Sequence, residues 1–184
     1  MIYKVLNKQI YQSGIFSIVP IRKEDRYDIM KWRNEQVYHL RQSDLLTKDD
    51  QDHYFENVVN QLFDQEQPSQ ILFSFLKNQE CIGYGGLVHI NWIDKHAEIS
   101  FVMNTKLEPL YFQTNWREYL SLIEQTAFQD LGLHKVFIYA FDLRPHLYKA
   151  VELSKYFLDA RLKEHCFVQG DFKDVLIYSK CSTI

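Results

Sequence analysis

The stretch that most constrains the fold runs from His96 to Trp116, HAEISFVMNTKLEPLYFQTNW. It opens as a strand: Ala97, Ile99, Phe101 and Met103 alternate with His96, Glu98, Ser100, Val102 and Asn104, the period-two pattern of side chains on opposite faces. It closes on an amphipathic helix. Trp116, Tyr119, Leu120, Ile123 and Ala127 keep helical spacing, Leu131 extends the stripe, and Gly132 is placed to end it. The spacing predicts a helix from about Trp116 to Leu131, with Thr114 or Asn115 as N-cap. A strand passing through a loop to a helix N-terminus makes a place for an anion, since the first-turn N–H groups are unpaired and the helix dipole is positive there. The loop holds no glycine, the residue that lets a backbone press closest to a phosphate. Glu98 reads either as a solvated charge on a strand face or as a general base.

On either side of this stretch the pattern alternates between helix and strand. Residues 1–14 form an N-terminal extension, a lead-in strand or hairpin arm. Phe16–Arg22 reads as a strand and Lys23–Glu35 as a helix with acidic residues in its first turn. A polar and aromatic loop follows, and a second helix starts after Thr47, with Asp50 completing a capping box. Ile71–Lys77, Glu80–Ile90 and the opening strand make a three-strand meander, with Gly83, Gly85 and Gly86 marking bulges or close backbone approach. After Gly132 come a buried strand from His134 to Asp142, a short helix at Pro145, and a C-terminal hairpin turning at Gln169-Gly170-Asp171. The order implies a mixed α/β (α+β) domain covering residues 1–184. Its central sheet is mostly antiparallel, with about six to seven strands, about four flanking helices and one parallel step across the long helix.

The 184 residues suffice for a real core. A net charge of -3 leaves no electrostatic footprint for nucleic acid or an anionic membrane, and there is no apolar run of spanning length. Cys81, Cys166 and Cys181 are odd in number and widely spaced, which suggests neither a disulfide framework nor a zinc site and fits a cytoplasmic protein. The seven histidines show no metal-ligand spacing. An exposed edge in the C-terminal hairpin could pair across a homodimer.

Several phrases occur in an order that resembles the GNAT fold of acyl-CoA-dependent N-acyltransferases, from Phe16 to Lys180. KWRNEQ (31–36) is similar to the end of the first helix in the branch acting on amino-sugar nucleotides and protein α-amines. ECIGYGGL (80–87), AFQDLGLHKV (127–136) and YFLDARLKEHCFVQGDFKDVLIYS (156–179) resemble later segments of that branch. The chain departs from the family in two places. LEPLYFQTNWR (107–117) replaces the glycine-rich pyrophosphate loop, and Tyr156-Phe157 replaces a G-F pair, so the family's tyrosine position falls on Glu152.

The resemblance implies acetyl-CoA as co-substrate, no metal, and transfer of its acetyl group to a primary amine of a small acceptor, an amino-sugar nucleotide being favoured. Unpaired backbone on Phe101, Val102 and Met103 would hold the pantetheine. Backbone N–H groups of Phe112, Gln113, Thr114, Asn115 and Trp116 would cradle the pyrophosphate. Glu98 would take the amine proton, and Tyr148 would protonate the thiolate. Trp32, Arg33, His39, Arg41, Tyr84 and His89 would line the acceptor pocket, the arginines meeting phosphates unless they are solvated or structurally paired. Three alternatives stay open: a protein α-amine as acceptor, a different acyl group, and a non-catalytic binding module whose CoA loop has degenerated.

Overall fold

The computed structural model describes residues 1–183. One sheet of eight strands runs through them in the order β1-β2-β3-β4-β5-β6-β8-β7. β1 (Tyr11–Ser13) and β2 (Phe16–Pro20) form a hairpin at one edge; β3 (Ile71–Lys77), β4 (Glu80–Asn91) and β5 (His96–Met103) continue it as an antiparallel meander. The strand count exceeds the expected six to seven because the lead-in segment supplies β1. The extension is also fastened elsewhere. The Tyr3 hydroxyl donates to Leu72 O and accepts from Leu72 N–H, its ring stacks on Phe63, and Asp130 accepts from the Asn7 and Lys8 backbone and the Tyr11 hydroxyl.

Helix α1 (Arg26–Glu35) follows a 3-10 turn (Lys23–Asp25). Helix α2 (Lys48–Tyr54) opens with the expected capping box between Thr47 and Asp50 and passes through a π-helical turn (Phe55–Val59) into α3 (Asn60–Leu62). Helix α4 (Glu108–Glu124) then carries the chain from β5 across the sheet to β6 (Lys135–Phe141), which lies parallel to β5. Helix α5 (Pro145–Leu153) starts with proline in its first turn, where a missing N–H costs nothing. The chain ends in the hairpin β7 (Phe157–Val168) and β8 (Asp171–Cys181), with β8 inserted between β6 and β7. No described helix is long and apolar enough to cross a membrane.

The core is one cluster between the sheet and α4. Ile71, Phe73 and Phe75 of β3, Phe101 of β5 and Tyr119, Leu120 and Ile123 of α4 are all buried. Phe101 stacks on Tyr119 with ring centroids 4.0 Å apart and meets Trp116 edge-on at 4.9 Å. One irregularity shapes everything that follows. β5 and β6 pair only at His96–Lys135, Ala97–Val136 and Glu98–Phe137, whereas β6 stays paired to β8 from Lys135 to Phe141. Beyond Glu98 the two parallel strands part, and the sheet opens into a cleft.

Candidate functional site at the parted strands

A cavity of about 440 Å³ occupies the cleft. Ile99, Ser100 and Phe101 form one wall and Ile138, Tyr139, Ala140 and Phe141 the other. Trp116, Arg144 and Leu147 come from the helices, and Arg33, His39, Leu40 and Arg41 from α1 and the loop after it. The position follows a general rule for parallel strands: their carboxyl ends, where neighbours diverge, leave room for a ligand.

Glu98 sits at the point of divergence with its side chain only 7% exposed. One carboxylate oxygen accepts from the Arg41 guanidinium, and the other lies 2.9 Å from His89 Nδ1. Arg41 also lies over the Tyr139 ring, 4.6 Å from its centroid. His89 reaches Glu98 because β4 slips register between Val88 and Asn91, where His89 takes a left-handed φ of 49°. Such a φ is uncommon for a non-glycine residue and often marks a functional position. The bulge brings His89 to Glu98, while His96 sits beside Phe137 at 6.0 Å.

A second ionic group closes the helix side. Arg144, 4% exposed, donates to Glu108 at 2.7 Å, lies over the Phe112 ring at 4.9 Å, and bonds a ring nitrogen of His39 at 2.9 Å. Burial and the Arg144 charge push the His39 imidazole down to about 3, so it is neutral at any working pH. Burial raises the Glu108 carboxyl against the pull of Arg144. Arg33, the remaining arginine on the wall, has no carboxylate within ion-pairing distance among the described residues; its Nε donates to Gln42 and its Nη1 to the Tyr84 hydroxyl at 2.6 Å.

Of the residues singled out in the sequence, Glu98, Phe101, Trp116, Arg33, His39, Arg41 and His89 line this cavity. Tyr84 lies with Arg33 on a smaller cavity of about 210 Å³ beneath α1 and α2. Trp32, Val102 and Met103 are core, and Met103 O already accepts from Gln36. The structure does not bring Tyr148 to the cavity. Its hydroxyl donates to Asp142, its ring stacks on Tyr178 at 5.8 Å, and burial together with that carboxylate raises the phenol well above its ordinary value. The sequence reading missed Tyr139 and Arg144. A usable signal was their position on the carboxyl half of β6 and in the turn after it.

The expected pyrophosphate loop is also corrected. Residues 108–117 are helix, because α4 begins at Glu108 rather than near Trp116. The N–H groups of Phe112, Gln113, Thr114, Asn115 and Trp116 therefore point back along the helix to carbonyls four residues earlier. Neither Thr114 nor Asn115 is an N-cap; Asn115 is buried in mid-helix. Instead Asn104 caps a 3-10 turn (Thr105–Leu107) that runs directly into α4, with the Glu108 N–H bonded to Thr105 O.

An open mixed sheet, a crossover helix and a polar cavity where two parallel strands part define a class of proteins with a slot between strands that an extended ligand could enter. A family model for an acetyltransferase (GNAT) domain matches residues 18–143. The chain belongs to this family, whose enzymes are acyl-CoA-dependent N-acetyltransferases. Among solved structures it is similar to spermidine N-acetyltransferase from Vibrio cholerae in complex with CoA and spermine. The TM-score is 0.78 at 17% identity, over 92% of this chain and 96% of that one. A dodecameric structure of the Vibrio cholerae enzyme in an intermediate state matches with a TM-score of 0.73 at 16% identity, over 92% and 95%. At these identities the likeness is one of fold.

The residues fit acetyl-CoA unevenly. The cleft suits the acyl-pantetheine arm: its walls are Ile99 to Phe101 and Ile138 to Phe141, and the β5 backbone there has lost β6 as a partner. The first turn of α4 does not suit a pyrophosphate. It carries the Glu108 carboxylate, already paired with Arg144, and Pro109, which has no N–H to offer.

Proposed function

We propose that this protein acetylates the primary amine of a small acceptor that carries an anionic group, an amino-sugar nucleotide being favoured. The observation that carries the reading is one unpaired arginine: Arg41 is paired with Glu98 and Arg144 with Glu108, which leaves Arg33. Arg33, Arg41 and Arg144 line one cavity that holds a single carboxylate, Glu98, and Arg33 has no acidic partner among the described residues. A partly desolvated guanidinium favours a phosphate or carboxylate and opposes a polycation. The spermine held by the Vibrio cholerae enzyme is accordingly not the acceptor expected here.

When bound, acetyl-CoA supplies the activated acetyl group. Glu98, where the strands part, takes the proton released as the amine nitrogen forms its bond to the carbonyl carbon and the C–S bond breaks; the thiolate leaves and is protonated from water. Arg41 and His89 keep the carboxylate oriented through its two oxygens. The Phe101 N–H, on the strand that has lost its neighbour, is the donor for the carbonyl oxygen. Holding amine and thioester together in the cleft supplies much of the rate.

An acceptor panel tests the reading: nucleotide-linked amino sugars against spermidine and an N-terminal peptide, each with acetyl-CoA. Faster turnover with the anionic acceptors is expected, and Arg33→Met should raise their KM by about tenfold or more. Preference for spermidine would overturn it. One observation favours a second reading, a binding module without catalysis: the first turn of α4 carries the Glu108 carboxylate and Pro109 rather than free anion donors. Calorimetric titration with CoA separates the two, since a folded protein that does not bind CoA is not an acetyltransferase.

A further inference from the structure

We infer that Tyr119 is a positioning residue which, from helix α4, fixes the Ser100–Phe101 peptide so that the Phe101 N–H faces the cavity. The inference rests on the acyl-transfer reading for its purpose and on geometry for its substance. The Tyr119 hydroxyl donates to Ser100 O at 2.9 Å. The same carbonyl lies against Gly85 of β4, so closely that a Cβ there would come within 2.0 Å of the oxygen and 2.5 Å of the Tyr119 hydroxyl. Gly85 leaves the room this carbonyl occupies, and the Tyr119 hydroxyl bonds it there, on the β4 side of β5, where Ser100 pairs with Gly86. A trans peptide sets C=O and N–H in opposite directions. With Ser100 O held toward β4, the Phe101 N–H points toward the side from which β6 has departed, where Ser100 and Phe101 line the cavity.

Packing alone does not call for the hydroxyl. The Tyr119 ring is fully buried among Phe75 and Phe101, surroundings that phenylalanine would fill as well, and a buried hydroxyl is costly unless it is bonded. Burial holds the phenol well above its ordinary value, which keeps it a donor. Ser100, whose carbonyl is used, and Phe101, whose ring stacks on Tyr119 at 4.0 Å, are therefore held by one side chain.

The test is Tyr119→Phe in the full chain, with three readouts. Thermal midpoint and CoA affinity should stay close to wild type. The kcat for acetyl transfer should fall about tenfold, less than the roughly 10²–10³ lost when an oxyanion donor is removed outright, with the acceptor KM unchanged. The 15N–1H resonance of the Phe101 amide should move in the ligand-free protein. An unchanged kcat in an active enzyme, or an unmoved Phe101 resonance, overturns the inference. If the wild type transfers no acetyl group, the acyl-transfer reading fails and the ligand-free resonance still decides the anchoring. If the variant does not fold, the wild type decides: the Phe101 amide should shift more with acetyl-CoA than with CoA, and equal shifts overturn the role.

Discussion

Glu98 already carries an arginine and a histidine on its carboxylate with no acceptor present, and this frames what single substitutions should do. Glutamine at 98 keeps a carbonyl oxygen for one partner and the size of the side chain, but cannot take a proton. Glu98→Gln is expected to lower kcat by about 10²-fold at neutral pH, measured as initial rates with a saturating acceptor; a rate within twofold of wild type would remove Glu98 from the chemistry. His39 makes a prediction of another kind. Its folded value of about 3 lies below the ordinary 6.5, so between those limits the unfolded chain binds a proton that the folded chain does not. Stability is then complete above about pH 6.5 and falls as the pH drops toward 3. The loss between pH 6.5 and 5 should approach about 2 kcal/mol, read as urea unfolding free energies, and His39→Gln should flatten that limb. At this scale the sequence revealed chemistry better than contact. Glu98 and His89 were recognisable as polar groups on strands, Arg33 as one near the end of a helix, and His39 and Arg41 as groups in the loop after it. That Arg41 and His89 both land on Glu98 depends on a bulge with a left-handed histidine, which no pattern of residue types announces.

Helix α4 is where local pattern and tertiary structure part company. The apolar stripe from Trp116 onward was legible, and it does face the core. Its true beginning was also written in the chain, as Pro109 in the first turn after an acidic Glu108, an ordinary helix-start signature. Thr114 and Asn115, good N-caps in isolation, masked it. Phe112 and Asn115 are both buried within the longer helix. Asn115→Pro tests the boundary. In mid-helix it removes a backbone hydrogen bond and should cost about 3 kcal/mol or more, measured from the denaturant midpoint; a near-neutral effect would restore a loop at that position. Other elements were legible with small shifts at their ends. β3 is found at Ile71–Lys77, and the capping box at Thr47 forms both of its hydrogen bonds.

For the whole molecule, the order of elements sufficed to read the fold, because a strand, two helices, a three-strand meander and a crossover helix leave few ways to form one sheet. The cleft was legible through the resemblance alone, which implies unpaired backbone on Phe101 to Met103; no pattern of residue types announces it. It exists because β6 keeps its pairing with β8 while abandoning β5, a competition between neighbours far apart in sequence. Affinity for anionic acceptors should fall as salt rises, since Arg33 acts through charge; KM measured across ionic strength checks this, and a flat response would shift the weight to shape.

The far wall of the cleft is braced from the chain's last segment. β6 is held along its length by β8, and Arg144 and Leu147, which close the cavity, also follow the residues that define the family. A fragment cut to residues 18–143 would keep the recognisable signature and lose the brace. What comparison marks as the domain is thus smaller than the unit that can make a working pocket, and fragments for expression or for building chimeras have to be chosen by strand pairing.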